Sequence, residues 1–264
     1  MSTRAAAVAG YFYDAAPGRL KHDVNQLLNA ETAAGGDFPE ALIVPHAGYI
    51  YSGSTAACAY RQLLIDPDQD RDQIKRVLLI GPAHRVYVKG MAIPSVDRFA
   101  TPLGEIALDK EGLSRICALP AVEVIDEAHR EEHSLEVQLP FLQTVLSDFT
   151  LIPVVVGGAD AAQVGAVIDA LAGSEQLLVV ISSDLSHFLE YDEARRIDAD
   201  TCDLILHKAS TLRGDQACGA AAINGLMASD WGHKLQVSLL QACNSGDSAG
   251  QRDRVVGYAA FSLH

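Results

Sequence analysis

Three apolar, β-type runs in this 264-residue chain end in side chains suited to acid–base or metal chemistry. Ala41 to Val44 leads into Pro45-His46-Ala47-Gly48-Tyr49, Val77 to Ile80 into Gly81-Pro82-Ala83-His84, and Leu177 to Ile181 into Ser182-Ser183-Asp184-Leu185-Ser186-His187. In open α/β sheets ligands bind beyond the carboxyl ends of the strands, where loops from several strands converge. His46, His84, Asp184 and His187 are therefore expected to meet at one sheet end. Imidazole is the commonest protein ligand for divalent transition metals, and two or three imidazoles with an anionic group make a partly open site. The same residues would also serve a polar cluster that only satisfies buried groups and holds no metal.

Other candidates carry less. His129-Arg130-Glu131-Glu132-His133 matches the H-x-x-E-H pattern of inverted zinc peptidases, with Glu132 as the base. The charge density of Asp126 to Glu132 is equally that of a solvated turn. Ser182, Ser183, Asp184 and His187 lie too close in sequence to supply the three separate elements of a hydrolytic triad. Cys218 precedes a helical segment whose N-terminus would stabilise a thiolate, while a small buried residue is its alternative reading. Phosphate-binding, dinucleotide-binding and nucleophile-elbow motifs are absent from the sequence.

The elements that must position these residues alternate between strand and helix, as in an α/β fold with a mostly parallel or mixed sheet flanked by helices. Strands are expected over Ala41 to Val44, Val77 to Ile80, Leu151 to Val156 and Leu177 to Ile181, apolar on both faces as strands covered on both sides must be. Leu235 to Leu240 and Val255 to Phe261 alternate more and are expected to pair antiparallel. Helices are expected over Ser54 to Leu64, Ser134 to Leu146, Ala161 to Leu171, Glu193 to Leu206 and Ala220 to Ala228, with Ser134 and Asp160 as N-caps. Gly48, Gly53, Gly81 and Pro82 suit tight strand-to-helix turns. Asp66 to Lys75 and Asn244 to Arg254 read as surface loops, leaving one domain over residues 1–264.

Composition narrows the partners. Net charge is −14, with 34 acidic against 20 basic residues, which disfavours nucleic acid and anionic lipid. Five widely spaced cysteines, none in a C-x-x-C pair, read as reduced thiols of a cytoplasmic protein. No apolar run approaches the roughly 20 residues of a membrane span. Arg4 followed by Ala5 to Tyr13 has the outline of a signal peptide, but its apolar stretch contains Gly10 and two tyrosines and lacks a cleavage site.

Taken in order, Ala7-Val8-Ala9-Gly10-Tyr11-Phe12-Tyr13, Pro45-His46-Ala47-Gly48-Tyr49, Gly81-Pro82-Ala83-His84, Glu132-His133-Ser134-Leu135-Glu136 with Leu139-Pro140, Ser182 to His187 and Cys218-Gly219 resemble the Memo family from about residue 5 to the C-terminus. The resemblance implies a fold like that of the class III extradiol ring-cleaving dioxygenases, which hold non-haem iron with two histidines and a carboxylate. It implies His46, His84 and Cys218 as metal ligands, Asp184 and His187 lining the same pocket, His187 as acid/base, and His133 alongside. Eukaryotic members are described as motility effectors that bind phosphotyrosine-containing partners and copper or iron. Prokaryotic members resemble protein B of the AmmeMemoRadiSam set, whose partner is a radical-SAM protein.

This chain departs from the family pattern at several points. Cysteine in place of the carboxylate softens the site toward copper or zinc and away from oxygen activation by iron. Asp14 stands where a proline commonly follows the aromatic motif, one histidine stands at Ala83-His84-Arg85 where some relatives have two, and Ala220 stands where some place an arginine that would aid anion binding. Two functions are consistent with these residues. One is an iron- or copper-dependent redox enzyme in which His187 moves protons with Asp184 orienting it. The other is a non-catalytic binding or metal-carrying accessory module that keeps the pocket.

Overall fold

The structure is a computed structural model that describes residues 1–30, 38–64, 74–173 and 176–264. The strands are β1 Thr3–Arg4, β2 Ala41–Val44, β3 Arg76–Pro82, β4 Met91–Ile93, β5 Arg98–Thr101, β6 Gly104–Ala107, β7 Val122–Val124, β8 Thr150–Val156, β9 Leu177–Ser182, β10 His187–Leu189, β11 Val237–Asn244 and β12 Val255–Leu263. The helices are α1 Pro17–Ala30, α2 Tyr49–Arg61, α3 Lys110–Cys117, α4 Asp126–Arg130, α5 His133–Glu136, α6 Leu139–Val145, α7 Ala161–Leu171, α8 Tyr191–Leu206 and α9 Ala220–Ala228.

The fold is mixed α/β. Its centre is a parallel core in the order β2-β9-β3-β8, made of the four apolar runs expected to be strands. Leu42, Leu78, Leu79, Val154, Val179 and Val180 are wholly buried, so both faces of this core are covered. The antiparallel strand β12 extends it beside β2, and β10 and β11 pair antiparallel with β12. On the far side β4 joins β8 antiparallel and β7 joins β4 parallel. A separate three-stranded sheet runs β1-β5-β6. The terminal antiparallel pair is as expected, but β12 does not alternate. It is buried almost throughout because helices α2 and α8 both pack against it.

Helices α7 and α9 keep the expected bounds, and Asp160 caps α7 in a reciprocal capping box with Gln163. The helix expected over Ser134 to Leu146 is instead two, α5 and α6. Pro140 accounts for the break, since it has no N–H to give the carbonyl four residues back. Ser134 is not the cap: Glu132 is, its carboxylate accepting the backbone N–H of His133 and Ser134. Gly53 lies inside α2 rather than in a turn, its missing Cβ making room for Leu27.

Helix α1 was not anticipated, although Leu20, Val24 and Leu28 recur at four-residue spacing and are buried. The loop expected at Asn244 to Arg254 is present, opening with a short 3-10 turn over Ser245–Asp247. Most of the loop expected at Asp66 to Lys75 lies outside the described residues. Among the described residues no helix is long and apolar enough to cross a membrane.

The N-terminal segment is fixed to α5. Buried Glu136 accepts the N–H groups of Ala7 and Val8 at 2.8 and 3.0 Å and the Tyr13 hydroxyl at 2.5 Å, and it pairs with the Arg4 guanidinium. Arg4 also donates to the carbonyls of His129 and Glu132 at 2.8 and 2.7 Å. Every strong donor in this buried cluster thus has an acceptor.

Candidate metal centre

Sheet register brings the site together. Val44 at the end of β2 lies opposite Ser182 at the end of β9, so His46 and Asp184, each two residues further, sit level with one another. The His46 N–H donates to Asp184 Oδ1 at 2.7 Å. On the other side of β9, β3 runs on to Pro82 and delivers His84. A third element closes over them: α5 lies on the end of β3, where a Cβ on Gly81 would stand 2.9 Å from Leu135 Cδ2 and 3.0 Å from Ser134 Oγ. Ser134 Oγ donates to the Pro82 carbonyl at 2.9 Å, and α5 begins with His133.

One ring nitrogen from each of His46, His84 and His133 lies within 4.8 Å of the others, a group able to hold a metal ion. The rings of His84 and His133 stack with centroids 4.7 Å apart, and His46 meets them edge-on at 5.3 and 5.5 Å. Phe12 packs on His133 at 4.7 Å.

The surrounding hydrogen bonds fix the tautomers. Ser182 Oγ spends its single proton on the Ser134 carbonyl at 2.6 Å, so it accepts from His46 Nδ1 at 2.9 Å and from Gln138 Nε2 at 2.9 Å. His46 therefore carries its proton on Nδ1 and leaves Nε2 bare. His84 is arranged alike, with Nδ1 2.9 Å from Glu132 Oε1. Glu132 is an ionised acceptor held at about 2, burial being outweighed by its bonds to His84 and to the N–H of Ser134. His133 Nδ1 rests 3.3 Å from the same oxygen and has no hydrogen-bond partner.

Burial pushes His46 well below its usual range and holds His133 at about 4, with the neighbouring imidazoles adding to the effect on both. Both rings are neutral at pH 7 and keep a lone pair. Bare imidazole nitrogens converging from three elements, one ring with an unpartnered buried nitrogen, and a carboxylate behind two of them form a donor set that fits a divalent transition metal.

Cys218, implied as a ligand by the family resemblance, stands against the bare nitrogen of His46, with Sγ 3.4 Å from His46 Nε2 and accepting the Asp184 N–H at 3.3 Å. The close approach needs Gly219, whose Cβ would fall 2.6 Å from Ser183 Cβ. Burial and then the Asp184 carboxylate push the Cys218 thiol up to about 12, contrary to the expected stabilisation by the start of α9. Asp184 itself is raised to about 7 by burial.

His187 lies at the bulge where β10 joins β12, with Nδ1 2.9 Å from the Leu185 carbonyl. That carbonyl orients its ring, while Asp184 engages the His46 backbone. Burial lowers His187 from its usual range. His187 and Cys218 stand together on the wall of a cleft of about 540 Å³ that also carries Leu189, Ile197, Arg196 and Arg213.

The H-x-x-E-H reading fails in the structure. A break at Glu131 separates α4 from α5, and His129 turns Nε2 onto the Ala92 carbonyl at 3.0 Å, buried away from the group. The solvated-turn alternative fails for Glu132, which is 2% exposed. Ser182 and Glu132 are the site residues whose partners the sequence did not reveal.

Comparison with known proteins is consistent over the whole chain. The model of the "Memo-like protein" family matches residues 4–262. A MEMO1 family protein of Aquifex aeolicus is 32% identical over 98% of this chain and 98% of the relative. One of Archaeoglobus fulgidus is 34% identical over 96% and 97%, and one of Methanosarcina mazei is 34% identical over 99% of each. Among solved structures, an uncharacterised Escherichia coli K12 protein, JW3007, superposes with a TM-score of 0.53 at 11% identity, covering 86% of this chain and 100% of its own, a likeness of fold.

Proposed function

The chain belongs to the Memo-like family, and from that premise and the site geometry we propose that it is a metal-dependent redox enzyme whose centre is built on His46 and His84, with His133 and Cys218 completing the donor set. The observation that carries this reading is the pair of fixed tautomers that leaves Nε2 of His46 and His84 bare and turned from their anchoring partners. Iron or copper is the metal the reading takes, with zinc as the redox-silent option for a softer, thiol-bearing set. Bound there, such an ion supplies Lewis acidity and, for iron or copper, electron transfer.

The chain's own groups do the rest. The cleft lined by Cys218 and His187 is the place the reading gives the substrate, beside the Cys218 end of the donor set. The Leu185 carbonyl keeps the His187 proton on Nδ1, so Nε2 is the atom left to accept a proton. Asp184, raised to about 7 by burial, exchanges a proton near neutral pH while gripping the His46 backbone. The likeness to extradiol dioxygenases makes catechol-like aromatics the first substrates to try, and a radical-SAM protein of the same set is the proposed partner.

A second reading, a binding or metal-carrying module, draws on a different observation. Exposed Tyr11, Ile50, Tyr87 and Phe188 each stand within four residues of a group at the site, as the rim of a docking surface would. Protein purified anaerobically without chelator decides between them. Near-stoichiometric iron or copper, lost from the His46→Ala, His84→Ala, Cys218→Ala triple variant, together with oxygen uptake on a catechol, supports the enzyme. Metal retained without turnover of any aromatic substrate supports the module. Absence of metal even after anaerobic loading contradicts the enzyme and leaves the binding module.

A further inference from the structure

We infer that Glu132 is a positioning residue that sets the tautomer of His84 and holds the His133 ring beside it, and so controls how tightly the site takes a metal; this rests on the metal reading above. The geometry is specific. A single oxygen, Oε1, stands 2.9 Å from His84 Nδ1 and 3.3 Å from His133 Nδ1, and the two rings are stacked within 23° of parallel. With both Nδ1 atoms turned to one carboxylate, the Nε2 atoms of both rings are turned away from it. The other oxygen, Oε2, accepts the His84 backbone N–H at 2.6 Å, which fixes the chain that carries the ring as well as the ring itself. Oε1 also accepts the N–H groups of His133 and Ser134 at 2.9 Å, so the carboxylate ties α5 to the β3 loop through backbone and side chains together.

A buried carboxylate is costly unless its lone pairs are taken, and here four donors take them. That arrangement is more than capping requires. A helix cap needs one oxygen on the first free N–H groups, and Glu132 Oε1 does that alone. The reach of Oε2 to His84, 48 residues away, and the shared contact with two rings are what a carboxylate behind metal-binding histidines provides: a fixed ring proton and a more basic opposite nitrogen. Helix α5 is a single turn docked through Ser134 and Glu136, and Glu132 is the group that joins it to His84 itself.

The test uses the full chain, stripped of metal, with zinc(II) as the probe, and two variants. Glu132→Gln keeps the shape but removes the charge. Glu132→Asp keeps the charge and a good cap for α5 but withdraws the oxygen from both rings. Zinc affinity by chelator competition is expected to fall about 10- to 100-fold in each variant. Nitrogen-15 NMR of the metal-free protein is expected to show His84 as the single Nδ1–H tautomer in the wild type and as a mixture in both variants. A purely structural cap would lower stability in Glu132→Gln, leave Glu132→Asp unaffected, and change neither affinity nor tautomer; that result overturns the inference. If the wild type takes no zinc, the metal reading fails, and the tautomer measurement still decides whether Glu132 sets the rings.

Discussion

Replacing Arg4 by Met tests whether the N-terminal segment is an integral part of the site. Arg4 and Glu136 are 7% and 0% exposed, and their ion pair is flanked by two backbone carbonyls to which Arg4 also donates. Methionine fills much of the same volume, including the contact over the Phe99 ring, so the change is chiefly one of charge and hydrogen bonding. Removing one partner of a buried pair leaves an uncompensated charge and typically costs about 3–5 kcal/mol. With an unfolding entropy of about 2.1 cal/mol/K per residue, a chain of this length loses about 2 °C of Tm per kcal/mol, so the expected drop is about 6–10 °C. Urea unfolding of Arg4→Met, Glu136→Gln and the double variant measures the coupling. The double variant should be less destabilised than the sum of the singles by at least about 1 kcal/mol, because residues in one buried network are not independent. The consequence for the site is direct, since Glu136 shares α5 with His133 and the tethered segment carries Phe12 onto the His133 ring. A loss under about 1 kcal/mol for Arg4→Met, or additivity within about 0.5 kcal/mol, would refute the reasoning.

Two further outcomes follow from local contacts. Gly219→Ala forces a Cβ to within 2.6 Å of Ser183 Cβ and 2.8 Å of the Ser182 carbonyl, so about 1–3 kcal/mol of stability is expected to be lost on urea denaturation, with weaker metal uptake as Cys218 moves off His46; unchanged stability would show the loop gives way freely. Burial holds His129 at about 4 in the folded state against 6.5 unfolded, so below pH 6.5 the unfolded chain binds a proton the folded one refuses. Stability should fall by up to about 3 kcal/mol as the pH drops from 6.5 toward 4, and His129→Gln, which can still donate to the Ala92 carbonyl, should flatten that slope; equal slopes in both proteins would remove His129 as the cause.

Much of the framework was legible because its determinants are local. β2, β3, β8 and β9 are short runs of branched apolar residues, and burial on both faces leaves no competing polar signal. Their ends then place His46, His84 and Asp184 at one edge, which is topology rather than side-chain detail. The α5–α6 break was also legible in principle, because Pro140 sits where a continuous helix needs an N–H. Glu132 was not. A carboxylate in the run Asp126 to Glu132 reads as solvated, and its burial depends on two local N–H groups and on two His84 donors that only the docking of α5 onto β3 brings to it. The role of Ser182 was hidden for the same reason: its proton goes to Ser134, 48 residues away, and only then is the His46 tautomer determined. Cys218 was recognised through its family, whereas its distance from His46 is set by Gly219 passing under Ser183.

The most direct measurement is calorimetric titration of the metal-stripped protein with zinc(II), and anaerobically with iron(II), run beside the single variants His46→Ala, His84→Ala and His133→Ala. The account predicts one equivalent bound by the wild type and at least a tenfold loss of affinity in each variant. Wild-type protein that binds neither ion, or variants that bind as the wild type does, would contradict it.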